Sequence, residues 1–380
     1  MKKLRILVHQ PRFSYYVGGG ETIPLYQAHS LSKLGNTVEI LTSNPPKFSK
    51  VFDDFRKENP QIKINLIDVP KKYSGYFSVE PEHDWSRWDE EAMLFGHSAE
   101  KFYIDNIGKW DLVITHLLSD SLFIPDQFKN ITRLHGVPAE FRNFDRIFLK
   151  RPDGFVPDCE SVRNGWRNLY PELKDINMPI AYNGVDSTLF NDNKQERDID
   201  FLYVGRFIQI KGVFDILNAT KILVRKGVKF NKLMLVGHGP LKEEFEKFIN
   251  NNGLEEKVEI VDQKSQLELV GIYNRAKIFL GPSYAYEGVI STMLEAAASG
   301  AAVITANAAG MPEYAKHRTN SLVIEPQNYK QLAEYMEELL TNQSLRNRLR
   351  SQARLDIENN WDLKVTNKRL NEIYHGYVKK

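Results

Sequence analysis

Short apolar runs alternate with longer amphipathic stretches along this chain, and that alternation leaves few folds open. In the first half Leu4–His9, Thr37–Thr42, Ile62–Val69, Asp111–His116 and Gly154–Pro157 read as strands, and Ile23–Lys33, Glu90–Asn106 and Ser161–Leu169 as helices. In the second half the strands are expected at Asp200–Val204, Lys232–Val236, Val258–Val261, Ile278–Leu280, Ala302–Thr305 and Ser321–Ile324. Helices follow at Val213–Lys226, Pro240–Asn251, Leu267–Ala276, Thr292–Ser299, Tyr329–Thr341 and Gln343–Asn359. Apolar strands joined by helical crossovers pack as parallel sheets covered on both faces, an α/β architecture.

The 380 residues are long for one core and comfortable for two domains. Turn chemistry at Met178-Pro179 and Asn183-Gly184, then a polar run from Asn191 to Asp198, marks the joint. A net charge of +2 supplies no field for nucleic acid, and the lone Cys159 rules out an intrachain disulfide and a cysteine-built zinc site. No apolar run approaches the ~20 residues that span a bilayer. The start, Met1-Lys2-Lys3-Leu4-Arg5-Ile6-Leu7-Val8-His9, reads as a buried strand rather than a signal peptide. A cytoplasmic enzyme is expected.

One segment concentrates the chemistry. Ile278-Phe279-Leu280 ends as a strand, the chain turns through Pro282 and Gly288, and a helix opens near Ser291-Thr292. Such a turn aims free N–H groups and the positive helix end at one spot, which suits a phosphate. Glu295, about a turn inside the helix, can accept hydrogen bonds from two vicinal sugar hydroxyls. Glycine and the turn backbone at Gly288, Val289, Ile290 and Ser291 would complete a nucleotide-sugar site. A second segment, Gly205-Arg206-Phe207-Ile208-Gln209-Ile210-Lys211-Gly212, places two cations five residues apart after a strand. If the loop folds back, both reach one diphosphate, Arg206 as a flat fork and Lys211 as a point charge; otherwise they are two solvated loop cations.

Glu287 and Glu295, eight apart in S-x-x-x-E-G-x-x-x-x-x-L-E-A-x-A-x-G, resemble the E-x7-E signature of retaining glycosyltransferases of family 4. That family usually carries an aromatic residue and a further glycine where this chain has Val289-Ile290. The resemblance implies the GT-B fold, two Rossmann-like domains with parallel sheets facing a central cleft. On that pattern residues 1–178 form the acceptor-side domain, completed by 362–380, and residues 179–361 the donor-side domain. Arg206 and Lys211, with four residues between them, resemble the family's G-R-x5-K-G element, which neutralises the leaving diphosphate without a metal or other cofactor. Glu287 is then expected to hold the donor sugar and Glu295 the ribose.

The resemblance extends to three further places. Gly19 and Gly20, in Gly18-Gly19-Gly20-Glu21 after the first strand, would lie near the acceptor across from the donor phosphates; a flexible turn is the alternative. His135, after Ile131-Thr132-Arg133-Leu134, matches the family's cleft histidine, with His116 a weaker rival. Gly237 and Gly239 match a G-x-G-P turn near the base, or serve only the turn. The expected activity is transfer of a sugar from a nucleotide-diphosphate donor to a sugar, lipid-linked or small-molecule acceptor with retained configuration. A sugar-nucleotide epimerase, a phosphorylase and a non-catalytic sugar-nucleotide binder remain alternatives.

Other signals are weaker. Asp198-Ile199-Asp200 imitates a D-x-D metal motif but precedes its strand, the wrong end for a ligand site, so no metal is expected. Phe141, Phe144 and Phe148 form a helical stripe opposite Arg142, Arg146 and Lys150. Residues 141–151 could meet an anionic membrane face peripherally, although core packing is preferred. Aromatics in Lys71–Trp88 (Tyr73, Tyr76, Phe77, Trp85 and Trp88) are the candidate acceptor-stacking residues.

Overall fold

Our computed structural model describes residues 2–16, 19–69, 85–137 and 145–379, without the side chains of residues 19, 20 and 85–88. The chain divides into two compact units, Met1–Tyr182 with Thr366–Lys380, and Asn183–Val365. Each is built on a six-stranded sheet in which every pairing is parallel.

In the first unit the strands are β1 (Arg5–His9), β2 (Thr37–Ser43), β3 (Lys63–Ile67), β4 (Leu112–Thr115), β5 (Asn130–Leu134) and β6 (Gly154–Pro157), arranged 3-2-1-4-5-6. In the second they are β7 (Ile199–Val204), β8 (Leu233–Val236), β9 (Val258–Val261), β10 (Ala276–Gly281), β11 (Ala302–Ala306) and β12 (Leu322–Ile324), arranged 12-11-10-7-8-9. Both sheets start in the middle, wind to one edge, then return and wind to the other. The order reverses between β1 and β4, and again between β7 and β10. Loops leaving the carboxyl ends of those strands diverge, so each reversal opens a crevice where ligands of α/β proteins bind.

Burial explains why these segments are strands. All residues of β4, β6, β7 and β8 are buried, as expected where helices cover both faces. Strand β5 and the helix Lys50–Glu58 are among the elements that the sequence pattern did not predict. Strand β5 carries Asn130, Thr132 and Arg133 among its five residues, so the short run at 131–134 was not counted among the strands. Arg133 is nevertheless buried there, donating to the carbonyls of Val156 (3.3 Å) and Ala181 (2.9 Å). The helix Lys50–Glu58 buries only Phe52 and Phe55, and Ser49 caps it by accepting from Phe52 N–H. The C-terminal helix Leu363–Val378 packs Leu370 and Tyr374 into the first unit's core, and Asn371 accepts from Asn36 at 2.8 Å.

One buried charge organises the reversal crevice of the first unit. Arg12, just after β1, is fully enclosed among Asp120 (3.4 Å), Glu21 (3.7 Å) and Glu91 (3.7 Å). Burial alone would weaken its hold on a proton, but Asp120 and the other acids keep it charged. Burial also pushes Asp120 up to about 6, against the pull of Arg12. Glu21 lies in the first turn of the helix Gly19–Lys33 and Glu91 on the helix Trp85–Ile104. One guanidinium thus ties both helices to the turns after β1 and β4. Arg12→Ala would leave buried carboxylates uncompensated and should cost ~3–5 kcal/mol, read from urea unfolding at pH 7.

Candidate functional site

The second unit's reversal point gathers the residues singled out in the sequence. The turn Gly205–Gly212 leaves β7, the turn 282–290 leaves the neighbouring β10, and Gly237–Pro240 leaves β8 on the other side. Lys211 and Glu287 meet here: Lys211 Nζ lies 2.6 Å from Glu287 Oε1 and 2.6 Å from Oε2. Ser283 Oγ donates to Glu287 Oε1 at 2.7 Å. Burial would raise the Glu287 carboxyl, but the charge and hydrogen bonds of Lys211, the Ser283 hydroxyl and the charge of Arg206 hold it below its ordinary range. Glu287 is therefore an anion paired with a cation, not a poised acid.

Backbone bonds brace the pair. Tyr284 N–H donates to Ile210 O at 3.0 Å, joining the two turns, and Gly310 N–H donates to Glu287 O at 3.1 Å. The Tyr203 hydroxyl donates to Arg206 O at 2.8 Å, fixing the start of the cationic turn. Gly212 must be glycine: its φ is +72°, and a Cβ there would lie 2.6 Å from Pro282 O.

Glu295 sits apart from this pair on the helix Ser291–Ala298, part-exposed between buried neighbours. Its Oε2 accepts from the hydroxyl of Tyr273, a fully buried side chain on the helix Gln266–Arg275. Burial pushes the Glu295 carboxyl up to about 7, against the lowering effect of that hydrogen bond. Gly288 and Val289 are buried in the turn, and Ile290 starts the helix with its carbonyl, without any side-chain cap. The N–H groups of Ser291 and Thr292, ahead of the first bond from Met293 to Ile290 O, have no intrahelical acceptor.

Gly237 and Gly239 have a packing reason of their own. A Cβ on Gly237 would fall 1.9 Å from Gly205 O, and one on Gly239 2.6 Å from Phe207 O. Phe207 N–H donates to His238 O at 2.7 Å across the same approach. These glycines let the turn after β8 lie against the cationic turn. A Cβ on Gly205 would in turn meet the Tyr203 hydroxyl at 2.7 Å.

In the first unit, His135 follows β5 with its Nε2 3.0 Å from His116 Nδ1 and its Nδ1 3.6 Å from Asp158 Oδ2. Gly19 and Gly20 open the helix Gly19–Lys33, whereas Gly18 lies outside the described residues. Tyr73, Tyr76 and Phe77 also lie outside them, as do Phe141, Arg142 and Phe144. Of the aromatic–basic stripe, Phe148 is buried in the core, and the exposed Arg146 lies 3.4 Å from Glu172. No helix among the described residues is long and apolar enough to cross a membrane. Asp198 pairs with Arg275 (2.6 Å) and Asp200 with Lys277 (2.7 Å), which accounts for both acids as braces at the start of β7. Ser283, Tyr273 and His116 are the partners that spacing did not single out as such. Ser283 stood in the S-x-x-x-E pattern and His116 as a rival to His135, whereas Tyr273 carried no signal.

Comparison with known proteins assigns the second unit. Residues 186–356 match the family described as glycosyl transferases group 1. An uncharacterised glycosyltransferase of Methanocaldococcus jannaschii is 29% identical over 308 residues, 78% of this chain and 80% of that protein. The capsular polysaccharide biosynthesis glycosyltransferase CapM of Staphylococcus aureus is 27% identical over 181 residues, covering 47% of this chain and 46% of CapM. Sucrose-phosphate synthase of Thermosynechococcus elongatus superposes with a TM-score of 0.81 at 16% identity, covering 98% of this chain and 99% of that one. HepE of Anabaena, solved in complex with UDP, gives 0.76 at 14% identity over 98% and 100%. At such identities the structures speak for the fold alone, two Rossmann-like domains of the GT-B type. Residues 186–356 are thus a group 1 glycosyl transferase domain, and the protein is a glycosyltransferase.

Proposed function

We propose that this glycosyltransferase moves a hexosyl group from a nucleotide-diphosphate sugar to an acceptor hydroxyl, with retention at the anomeric carbon and without a metal ion. The observation that carries the reading is the joining of Lys211, Glu287 and the Arg206 turn at the β7–β10 reversal. Two relatives in fold support the donor class: HepE is solved with UDP-glucose, and TarM of S. aureus with UDP and α-GlcNAc-glycerol.

The leaving diphosphate gains negative charge as the glycosidic bond breaks. Arg206, Lys211 and the open N–H groups of the helix Ser291–Ala298 stabilise that charge, in the place where a metal ion would otherwise act. In the free protein Glu287 neutralises Lys211. An arriving diphosphate takes over Lys211, which frees the Glu287 carboxylate to accept hydrogen bonds from the donor sugar. Glu295 holds the ribose diol, and Tyr273 holds Glu295. Glu287 then acts as a hydrogen-bond acceptor to the donor sugar, with Ser283 Oγ still holding its Oε1.

Thermal unfolding with UDP, GDP, ADP and dTDP in the presence of EDTA tests the site. A ligand at 100 times its Kd should stabilise by ~2.7 kcal/mol, and indifference to all four would overturn the donor assignment. Lys211→Ala should lower kcat by about 10²–10³, and Glu295→Ala should lower turnover comparably, both with native circular dichroism. Free epimerised sugar without acceptor, or dependence on inorganic phosphate, would point instead to the epimerase or phosphorylase.

The carboxyl of Glu295 gives an independent check. Its folded value of about 7 lies above the ordinary 4.5, so the folded state disfavours its charge. The resulting cost is absent below pH 4.5, grows between there and 7, and is complete above 7. Glu295→Gln should therefore match wild type near the low end and exceed it by ~1–2 kcal/mol at pH 8, allowing for the solvent that Glu295 retains. Equal stability at both pH values would show that Glu295 carries no such cost.

A further inference from the structure

The reversal point of the first unit lies between β1 and β4, and His116 is the first residue after β4. His135 stands one strand further out, after β5. The two rings are nearly coplanar, 12° apart with centroids at 5.3 Å, and His116 Nδ1 lies 3.0 Å from His135 Nε2. A contact of that length between two imidazoles holds one proton. Which ring supplies it is decided at the far end of the chain. His135 Nδ1 faces the buried carboxylate of Asp158 at 3.6 Å, where a lone pair would be repelled and an N–H attracted. His135 therefore carries its proton on Nδ1 and accepts at Nε2. His116 then donates from Nδ1, and its own Nε2 is left as a bare acceptor.

That nitrogen has no hydrogen-bond partner among the described residues. His116 keeps only 5% of its surface exposed, and burial together with the neighbouring His135 holds it neutral, well below the ordinary histidine range. Phe13, in the turn after β1, flanks its ring at 6.1 Å, so residues from both sides of the reversal crevice border it. His135, by contrast, has both ring nitrogens directed at protein groups.

We propose that His116, rather than His135, presents the nitrogen that accepts a sugar hydroxyl in the first unit, with His135 and Asp158 as positioning residues that set its tautomer. The assignment of a sugar hydroxyl rests on the glycosyltransferase reading above; the tautomer does not. An Asp–His–His chain transmits the carboxylate's preference through two rings, so that the residue nearest the crevice offers a lone pair where an isolated neutral imidazole would more often offer N–H.

Nitrogen-15 NMR of histidine-labelled full-length protein tests the tautomer directly, with signals assigned through His116→Gln and His135→Gln. Both rings should show a protonated Nδ1 and an unprotonated Nε2. Asp158→Ala should return His135 to the Nε2–H form and protonate His116 Nε2. A protonated His116 Nε2 in the wild-type protein would overturn the proposal whatever the enzyme transfers. With the donor found by the nucleotide screen, His116→Gln should lower kcat/KM for transfer about tenfold or more, while nucleotide-induced stabilisation stays as in wild type. Loss of donor hydrolysis together with transfer would assign the hydroxyl to the donor sugar, and loss of transfer alone would assign it to the acceptor. Unchanged kcat/KM with unchanged nucleotide binding would refute the role of His116 and leave the glycosyltransferase reading standing.

Discussion

Everything functional here depends on how a parallel sheet is wound. Parallel strands need a crossover between each pair, so every loop leaving a carboxyl end emerges on the same edge of its sheet. Because each sheet starts at its centre and reverses direction once, two of those loops part company at one place. In the second unit that place holds Arg206, Lys211 and Glu287; in the first it holds Arg12, His116 and Asp120. Residues distant in sequence become neighbours because of the strand order.

The two reversal points handle charge differently. In the second unit one cation meets one carboxylate at the surface of the crevice, partly open to water, where an arriving anion can exchange with Glu287 for Lys211. In the first, Arg12 is surrounded by acids and closed to solvent, so its charge is already satisfied and its work is to hold the turns in place. The acceptor there is a neutral imidazole. A charged, exchangeable pair suits a diphosphate, and an uncharged acceptor suits a hydroxyl.

Much of this was legible because short-range patterns carried it. The strand–turn–helix at 276–298, the paired glutamates and the glycine-flanked cations sit at fixed spacings within single segments, and their backbone follows from local chemistry. Strand β5 was not legible as a strand, since its interior Arg133 is paid for by carbonyls from residues 156 and 181, which no local window contains. The helix Lys50–Glu58 was hidden for a similar reason, its apolar face being two phenylalanines that matter only against the sheet.

The sequence by itself determined the α/β class, the parallel sheets and the glycine-flanked turns that carry Arg206, Lys211 and Glu287, because periodicity, glycine placement and side-chain charge are local properties. Only the tertiary structure decided which partner each of those groups meets. It set Lys211 on Glu287 rather than free, Tyr273 beneath Glu295, and Asp158 behind His135 and His116. Those pairings fix protonation and tautomer, and they arise from strand order and burial, which couple residues that the sequence keeps far apart.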